Sequence, residues 1–247
     1  MKSVFITGGS SGIGEALALN YQQQGYKVGI CGRSKEKFLT SRVSSLENVI
    51  FYEADVCNYE EIKKHMSEYI NNYGLDVFFA NAGIGKSQKS AKYNSELDRN
   101  ITKINVLGFL NSLEEAIKHF EEQGSGHIAA ISSLGAIFGL PGNGAYCASK
   151  SFVMTFCDSL TYDLSKKNID VTCIYPGYIK TPLTSKNNHA MPFLMSSDEA
   201  ATKIIHAMNK NKKNFYFPFP FAIVTRFLGI LPRSIRSAIL GRIVKFN

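Results

Sequence analysis

The stretch Val4-Phe5-Ile6-Thr7-Gly8-Gly9-Ser10-Ser11-Gly12-Ile13-Gly14-Glu15 runs from a short β-branched and aromatic segment, through glycines and serines, into an apolar helical pattern that reaches Gln24 and closes at Gly25. Strand, glycine turn and helix in that order aim the free amides of a first helical turn at an anion, while glycine admits positive φ and close approach of a ligand to backbone. A glycine turn alone also serves as a plain tight turn. Its place between a strand and an apolar helix is what points to a dinucleotide diphosphate. Gly8, Ser10, Ser11, Gly12, Ile13 and Gly14 are the candidate residues for holding it.

Outward from this unit the chain alternates short apolar runs with helical patterns. Further strands are expected at 27–31, 49–53, 76–80, 127–132, 169–175 and 214–217, and helices at 59–73, at 97–123, after Tyr146, and from a cap at Ser197 or Asp198 to Asn209. This is the pattern of an α/β fold, a doubly wound, mostly parallel seven-stranded sheet flanked by helices. Residues 1–218 are expected to form one dinucleotide-binding and catalytic domain, and residues 219–247 a basic amphipathic helical extension of it. Ligands of such sheets gather beyond the carboxyl ends of the strands. After the second strand comes Gly32-Arg33, where an NAD-specific site would place a carboxylate on the ribose. Arg33 can pair with a 2′-phosphate, with no nearby acid expected to oppose it, so NADP is the expected cofactor and NAD the second choice. Asp55, followed by Val56, can accept from an adenine amine or cap the next helix. The small residues of Asn81-Ala82-Gly83 let a cofactor pass close to backbone. Pro176-Gly177 shapes a turn that leads through Ile179 to Thr181, a candidate hydrogen-bond partner of the cofactor.

Tyr146 and Lys150 stand one helical turn apart and point the same way. A lysine charge beside a phenol favours the phenolate and lowers its pKa, so the pair can move a proton to or from an alcohol or carbonyl oxygen. Ser133, at the end of the fifth strand, can give that oxygen a second hydrogen bond. Asn105 sits mid-helix, where a side chain that competes for backbone bonds is an odd choice unless something uses it.

The formal charge of +8 does not signal nucleic acid: nine Lys or Arg and no Asp or Glu fall between Ala200 and Asn247, and the rest is nearly balanced. With 45% hydrophobic and 19% charged residues the chain can bury a real core. Five cysteines without Cys-x-x-Cys spacing argue for a reducing compartment and against a metal site or a disulfide scaffold. The first residues reach glycine before a secretory apolar segment could form, and no apolar run approaches ~18 residues, so the expected location is cytoplasmic. The 183–197 loop, polar and with His189 and Pro192, is a lid candidate or a surface connection. In the tail, Ile235, Ile239 and Ile243 recur between Arg236, Arg242 and Lys245. This face can cover the substrate pocket, meet another subunit, or rest peripherally on an anionic membrane, at the inner face in the cytoplasmic case.

Taken together, residues 3–218 resemble the short-chain dehydrogenase/reductase family. The resemblance rests on Thr7-Gly8-Gly9-Ser10-Ser11-Gly12-Ile13-Gly14, Asp55, Asn81-Ala82-Gly83, Asn105, Ser133, Tyr146 with Lys150, and Pro176-Gly177 with Thr181, in that order. It implies a Rossmann-like fold and an oxidoreductase. Tyr146 would be the acid/base, Ser133 would orient the reacting oxygen, Lys150 would bind the ribose and lower the tyrosine pKa, and Asn105 would hold a water of the proton relay. Ser11 stands where many NADP-using members carry arginine, which leaves Arg33 as the phosphate reader. A homodimer or homotetramer through helices 97–123 and 149–166 is also implied. A small carbonyl or alcohol is the expected partner, a lipophilic one judging by Ile137, Phe138, Leu140, Phe193 and Leu194. The alternative is a cofactor-binding regulatory or scaffold protein of the same fold.

Overall fold

The computed structural model describes residues 1–88, 93–185 and 190–243. Strand β1 (Ser3–Thr7) leads into α1 (Gly12–Gln23), β2 (Lys27–Gly32), α2 (Lys35–Leu39), β3 (Val49–Glu53), α3 (Tyr59–Tyr73) and β4 (Val77–Ala80). Then come α4 (Ser95–Thr102), a π turn (Lys103–Leu107), α5 (Gly108–Gln123), β5 (Gly126–Ile131), α6 (Gly144–Leu164) and β6 (Ile169–Pro176). The chain closes with β7 (Ile179–Lys180), β8 (Met195–Ser196), α7 (Ser197–Met208), β9 (Asn214–Phe217), α8 (Phe219–Ile230) and α9 (Arg233–Ile243).

The main sheet has seven strands in the order β3-β2-β1-β4-β5-β6-β9, every pair parallel. Parallel strands need crossover connections, and the helices that supply them cover both faces. The two faces of β1 show it. Phe5 packs with Ile62, Met66 and Tyr69 of α3 and with Ala116 and Phe120 of α5, whereas Val4 and Ile6 pack with Leu17 of α1 and Ile204 of α7. Consecutive residues of a strand point to opposite faces, so a fully apolar strand is the natural occupant of this position. The strand order reverses between β1 and β4, and that switch point is where the carboxyl ends open into a crevice.

Three expectations are corrected here. The 97–123 helix is not continuous: Gly108 N donates to Lys103 O, five residues back, which marks a π turn around Asn105. The extra residue in the turn lets Ile104 and Asn105, neighbours in sequence, both be buried. The 183–197 connection ends in a strand, since Met195 and Ser196 pair with Ile179 and Lys180; His189 lies outside the described residues. The cap of α7 is Ser196, whose hydroxyl accepts from Glu199 N at 3.2 Å while the Glu199 carboxylate accepts from Ser196 N at 3.1 Å.

Candidate active site

The glycine turn is built from backbone constraints. Gly8 and Gly12 have φ of +68° and +59°, in the left-handed region that glycine adopts without strain. A Cβ on Gly14 would stand 2.3 Å from Gly8 O and 2.6 Å from Asn81 Nδ2, so only hydrogen fits. Ser11 caps α1 with backbone alone, its side chain making no cap bond, so the first-turn amides have no side-chain oxygen on them. Ser10 Oγ faces Gly32, and Ile13 packs against the core. Across the turn stands Thr181, with Cγ2 3.0 Å from where a Gly12 Cβ would be. Its own loop is held by Thr184, whose Oγ1 accepts from Thr181 N at 3.0 Å. Gly177 N donates to Phe217 O at 2.8 Å, and Ile179 is buried as β7 begins.

Thr7 and Asn81 tie β1 to β4 beneath this cradle. Thr7 Oγ1 donates to Phe79 O and accepts from Asn81 N and Ala82 N at 3.0 and 3.1 Å, while Asn81 Nδ2 donates to Thr7 O and Gly8 O at 2.8 and 3.1 Å. The amide of Asn81 is therefore spent on holding the turn. Ala82 lies directly under Gly8.

At the far end of the crevice sits Arg33, exposed, in a hollow of about 320 Å³ shared with Glu53, Ala54, Asp55 and Glu61. The expectation of an arginine without opposing acids is overturned, because β3 and the start of α3 bring three carboxylates to it. Arg33 makes no ion pair with them among the described residues. Asp55 accepts from Cys57 N at 2.9 Å, and the cap of α3 is Asn58, so Asp55 has no capping role. Val56 is buried beneath Gly108, and its carbonyl accepts from Asn111 Nδ2 at 3.0 Å.

Ser133, Tyr146, Lys150 and Asn105 meet between β4, β5 and α6. Lys150 is only 6% exposed, and its ammonium donates to Ile131 O at 2.8 Å. Burial lowers its pKa to about 8. A Cβ on Gly83 would sit 3.3 Å from both Lys150 Nζ and Asn105 Oδ1, so Gly83 keeps open the space onto which the ammonium's remaining donors face. Asn105 Oδ1 accepts from Ile84 N at 2.8 Å, and its Nδ2 donates to Ile84 O at 2.9 Å and to Ser149 Oγ at 3.0 Å. Ser149 Oγ in turn donates to Tyr146 O at 2.7 Å. Burial raises the Tyr146 phenol above its ordinary value, and the opposing influence comes from Ser133 rather than from Lys150 as expected. Gly135 leaves room between these two: a Cβ there would be 3.4 Å from Ser133 Oγ and 3.7 Å from the Tyr146 ring. Ser132 Oγ donates to Lys150 O at 2.8 Å, fixing α6 on β5.

The apolar side of the crevice is formed from distant segments. Tyr178 is near enough to Tyr146 to add to the rise of its pKa, and it stacks on Phe221 of α8 with ring centroids 5.9 Å apart. Phe193 reaches the same ring at 6.3 Å. Gly229 of α8 sits against Ile137, and the Arg236 guanidinium lies 5.2 Å from the Phe138 ring centroid. The tail thus meets the 134–143 loop through Gly229 and the Arg236 guanidinium, a basic residue expected in solvent, while Ile235 of the expected covering face is exposed. Lys245 and the side chains of Arg242 and Ile243 lie outside the described part. The sequence assigns no separate role to Thr7, Ser149 or Phe221, because the partners that give them one, Phe79 and Asn81, Asn105, and Tyr178, are far away in the chain.

The donors and spaces fit a dinucleotide: a side-chain-free helix start for a diphosphate, glycines a Cβ would clash with, and a buried ammonium with donors to spare. Residues 2–192 match the short chain dehydrogenase family, and the chain belongs to it. An uncharacterised oxidoreductase of Myxococcus xanthus is 33% identical over 246 residues, 98% of this chain and 97% of that one. Among solved structures, ElxO with NADP bound superposes with a TM-score of 0.78 at 26% identity, covering 87% of this chain and 96% of that one. The 3-ketoacyl-(acyl-carrier-protein) reductase of Brucella melitensis, complexed with NADH, gives 0.80 at 25% identity, covering 87% and 95%. The protein is an NAD(P)(H)-dependent oxidoreductase of small carbonyl or alcohol substrates.

Proposed function

We propose that this enzyme interconverts a lipophilic ketone or aldehyde with its alcohol, with NADP(H) preferred over NAD(H). The observation that carries the substrate reading is the aromatic row that leads away from Tyr146: Tyr178 lies near the phenol and stacks on Phe221, whose ring Phe193 also reaches. Apolar walls with few polar groups suit a substrate whose carbonyl is its one polar handle. The bound nicotinamide would supply or accept the hydride at carbon. In the reducing direction Tyr146 gives its proton to the substrate oxygen while Ser133 donates a hydrogen bond to it. Lys150 binds the ribose, and Ser133, whose hydrogen bond opposes the rise of the phenol pKa, favours the phenolate that remains. Asn105 holds the π turn in place and with it the floor of the relay.

The cofactor preference rests on Gly32, which puts no carboxylate on the ribose, and on Arg33, which keeps its donors free. Glu53, Asp55 and Glu61 lie close enough to moderate the attraction. The Brucella relative complexed with NADH makes the comparison of both cofactors necessary. Titrating NADPH and NADH against the purified protein, followed by a panel of aliphatic, aromatic and charged carbonyls, tests both halves. Equal affinities remove the preference. Turnover confined to small charged carbonyls removes the lipophilic reading. Subunit pairing through α4–α5 and α6 belongs to the same reading, with Leu107 of the π turn and Tyr162 of α6 exposed; a monomer in light scattering excludes it.

A further inference from the structure

Helix α8 is apolar on two faces. The inner one, with Phe221, Ala222, Thr225 and Gly229, packs against Tyr178, Gly177 and Ile137. The outer one carries Phe219, Ile223, Phe227 and Ile230, spaced four, four and three residues apart, with Val224 beside them, each between 52% and 79% exposed. Ile235 at the start of α9 is exposed as well, and so are Phe193 and Leu194 of the connection that reaches Phe221. Large side chains scattered singly on a surface need no explanation, but an apolar stripe running the length of one helix face marks a contact surface.

Charge decides between occupants. From Ala200 to the end of the chain there is no acid, and Arg226, Arg233 and Arg236 flank or follow the stripe. Arg226, exposed, is held over the Tyr216 ring at 4.8 Å, and Arg233 is exposed, whereas Arg236 turns back over Phe138 and donates to Gly229 O at 3.1 Å, so Arg226 and Arg233 are the cations left to the outside. A second copy docking through this patch in a twofold dimer would bring the same patch to itself, arginine opposite arginine with no carboxylate of the segment between them. A surface of anionic headgroups over acyl chains answers both features: phosphates for the arginines, hydrocarbon for the stripe. The helix is too short and too interrupted to cross a bilayer, and among the described residues no helix is long and apolar enough to do so.

We propose that the outer face of α8 is a peripheral docking surface for an anionic lipid bilayer. Since the inner face of the same helix lines the crevice, docking would bring its mouth to the membrane surface. That gives the lipophilic substrate proposed above a route of entry, although the docking surface stands without it.

The test is flotation of the full chain with vesicles of equal parts phosphatidylglycerol and phosphatidylcholine, and with phosphatidylcholine alone. The parent protein is expected to float with the anionic vesicles at low salt, less so at high salt, and weakly with the neutral ones. The double variant Ile223→Glu, Phe227→Glu alters only exposed positions. It should lower the partition by at least about tenfold while melting temperature and NADPH binding stay as in the parent. Absence of parent flotation with anionic vesicles, or equal partition of parent and variant, overturns the proposal. So does a parent dimer that the variant dissociates and that does not float, which would assign the face to a second copy. None of these readouts depends on turnover, so they stand apart from the identity of the substrate.

Discussion

Asn105 Nδ2 donates to Ser149 Oγ at 3.0 Å, and through that hydroxyl the π turn is bonded to the Tyr146 carbonyl on α6. Both residues are buried, so water cannot replace the bond if one partner is removed. Ser149→Ala would leave a buried donor short of an acceptor, a loss of about 1–3 kcal/mol. The expected outcome is a lower melting temperature and a several-fold fall in kcat, with the cofactor KM little changed, because the helix start moves relative to Ser133 but the glycine turn does not. Steady-state kinetics beside thermal melts check it; a raised cofactor KM with normal kcat would contradict this placement of the effect.

Tyr146→Phe removes the proton donor and leaves the ring packing beside Gly85 and Gly135 in place. Turnover should fall by roughly 10²–10⁴, the usual contribution of a general acid, while NADPH titrates as in the parent. Parent-like turnover would rule out the phenol as the proton carrier.

Lys150 makes stability depend on pH with a defined sign. Its pKa in the folded protein is about 8, against an ordinary 10.5, because burial disfavours the ammonium. Between these values the unfolded chain holds more protons than the folded one, so this lysine's contribution to stability rises with pH across that window and is at its least below about 8. Lys150→Met has no such proton. The stability of the cofactor-free parent relative to the variant should therefore climb from pH 8 to 10.5, by up to about 3 kcal/mol at 1.36 kcal/mol per pKa unit. Denaturant melts across that range provide the measurement, and a flat difference would mean the ammonium is not desolvated.

Arg33→Ala is expected to weaken NADPH binding by roughly 10–100-fold, the worth of a charge-assisted pair, with NADH affinity nearly unchanged. The neighbouring acids Glu53, Asp55 and Glu61 argue for the lower end. Fluorescence titration of both cofactors distinguishes this from a general loss of binding.

Gly14→Ala should abolish or strongly weaken binding of either cofactor and destabilise the fold by about 1–3 kcal/mol, since the new methyl meets Gly8 O and something in the backbone must move. Gly25→Ala is the control. It has φ of +80° with nothing within 4 Å, so it introduces local strain far from the turn and should leave cofactor affinity intact.

The alternation of apolar runs and helical patterns was enough to read the layered α/β architecture, the seven strands of the main sheet and the strand–glycine–helix opening. These depend on the character of residues a few positions apart, and local backbone preference with side-chain periodicity carries that information. The same holds for the polar residues at strand ends, since a chain that alternates strand and helix brings its strand termini to one edge. Asn105 stood out in sequence as a polar residue in a helical pattern, but the π turn that buries it did not, because the reason for it is the Ile84 backbone and Ser149, 21 and 44 residues away.

What only the tertiary structure decided involves partners distant along the chain. Thr7 is one polar residue among many until β4 arrives beside it 72 residues later. Arg33 looked unopposed because its acids come from β3 and α3, and Lys150 looked like the modulator of Tyr146 because i and i+4 share a face, whereas its ammonium turns to Ile131 on β5. By its periodicity the tail could have covered the pocket, met another subunit or rested on a membrane. Packing against Tyr178 and Ile137 gives one apolar face to the crevice and leaves the other outside. Periodicity reports that a face is apolar; what covers it is set by long-range geometry, which no local pattern encodes.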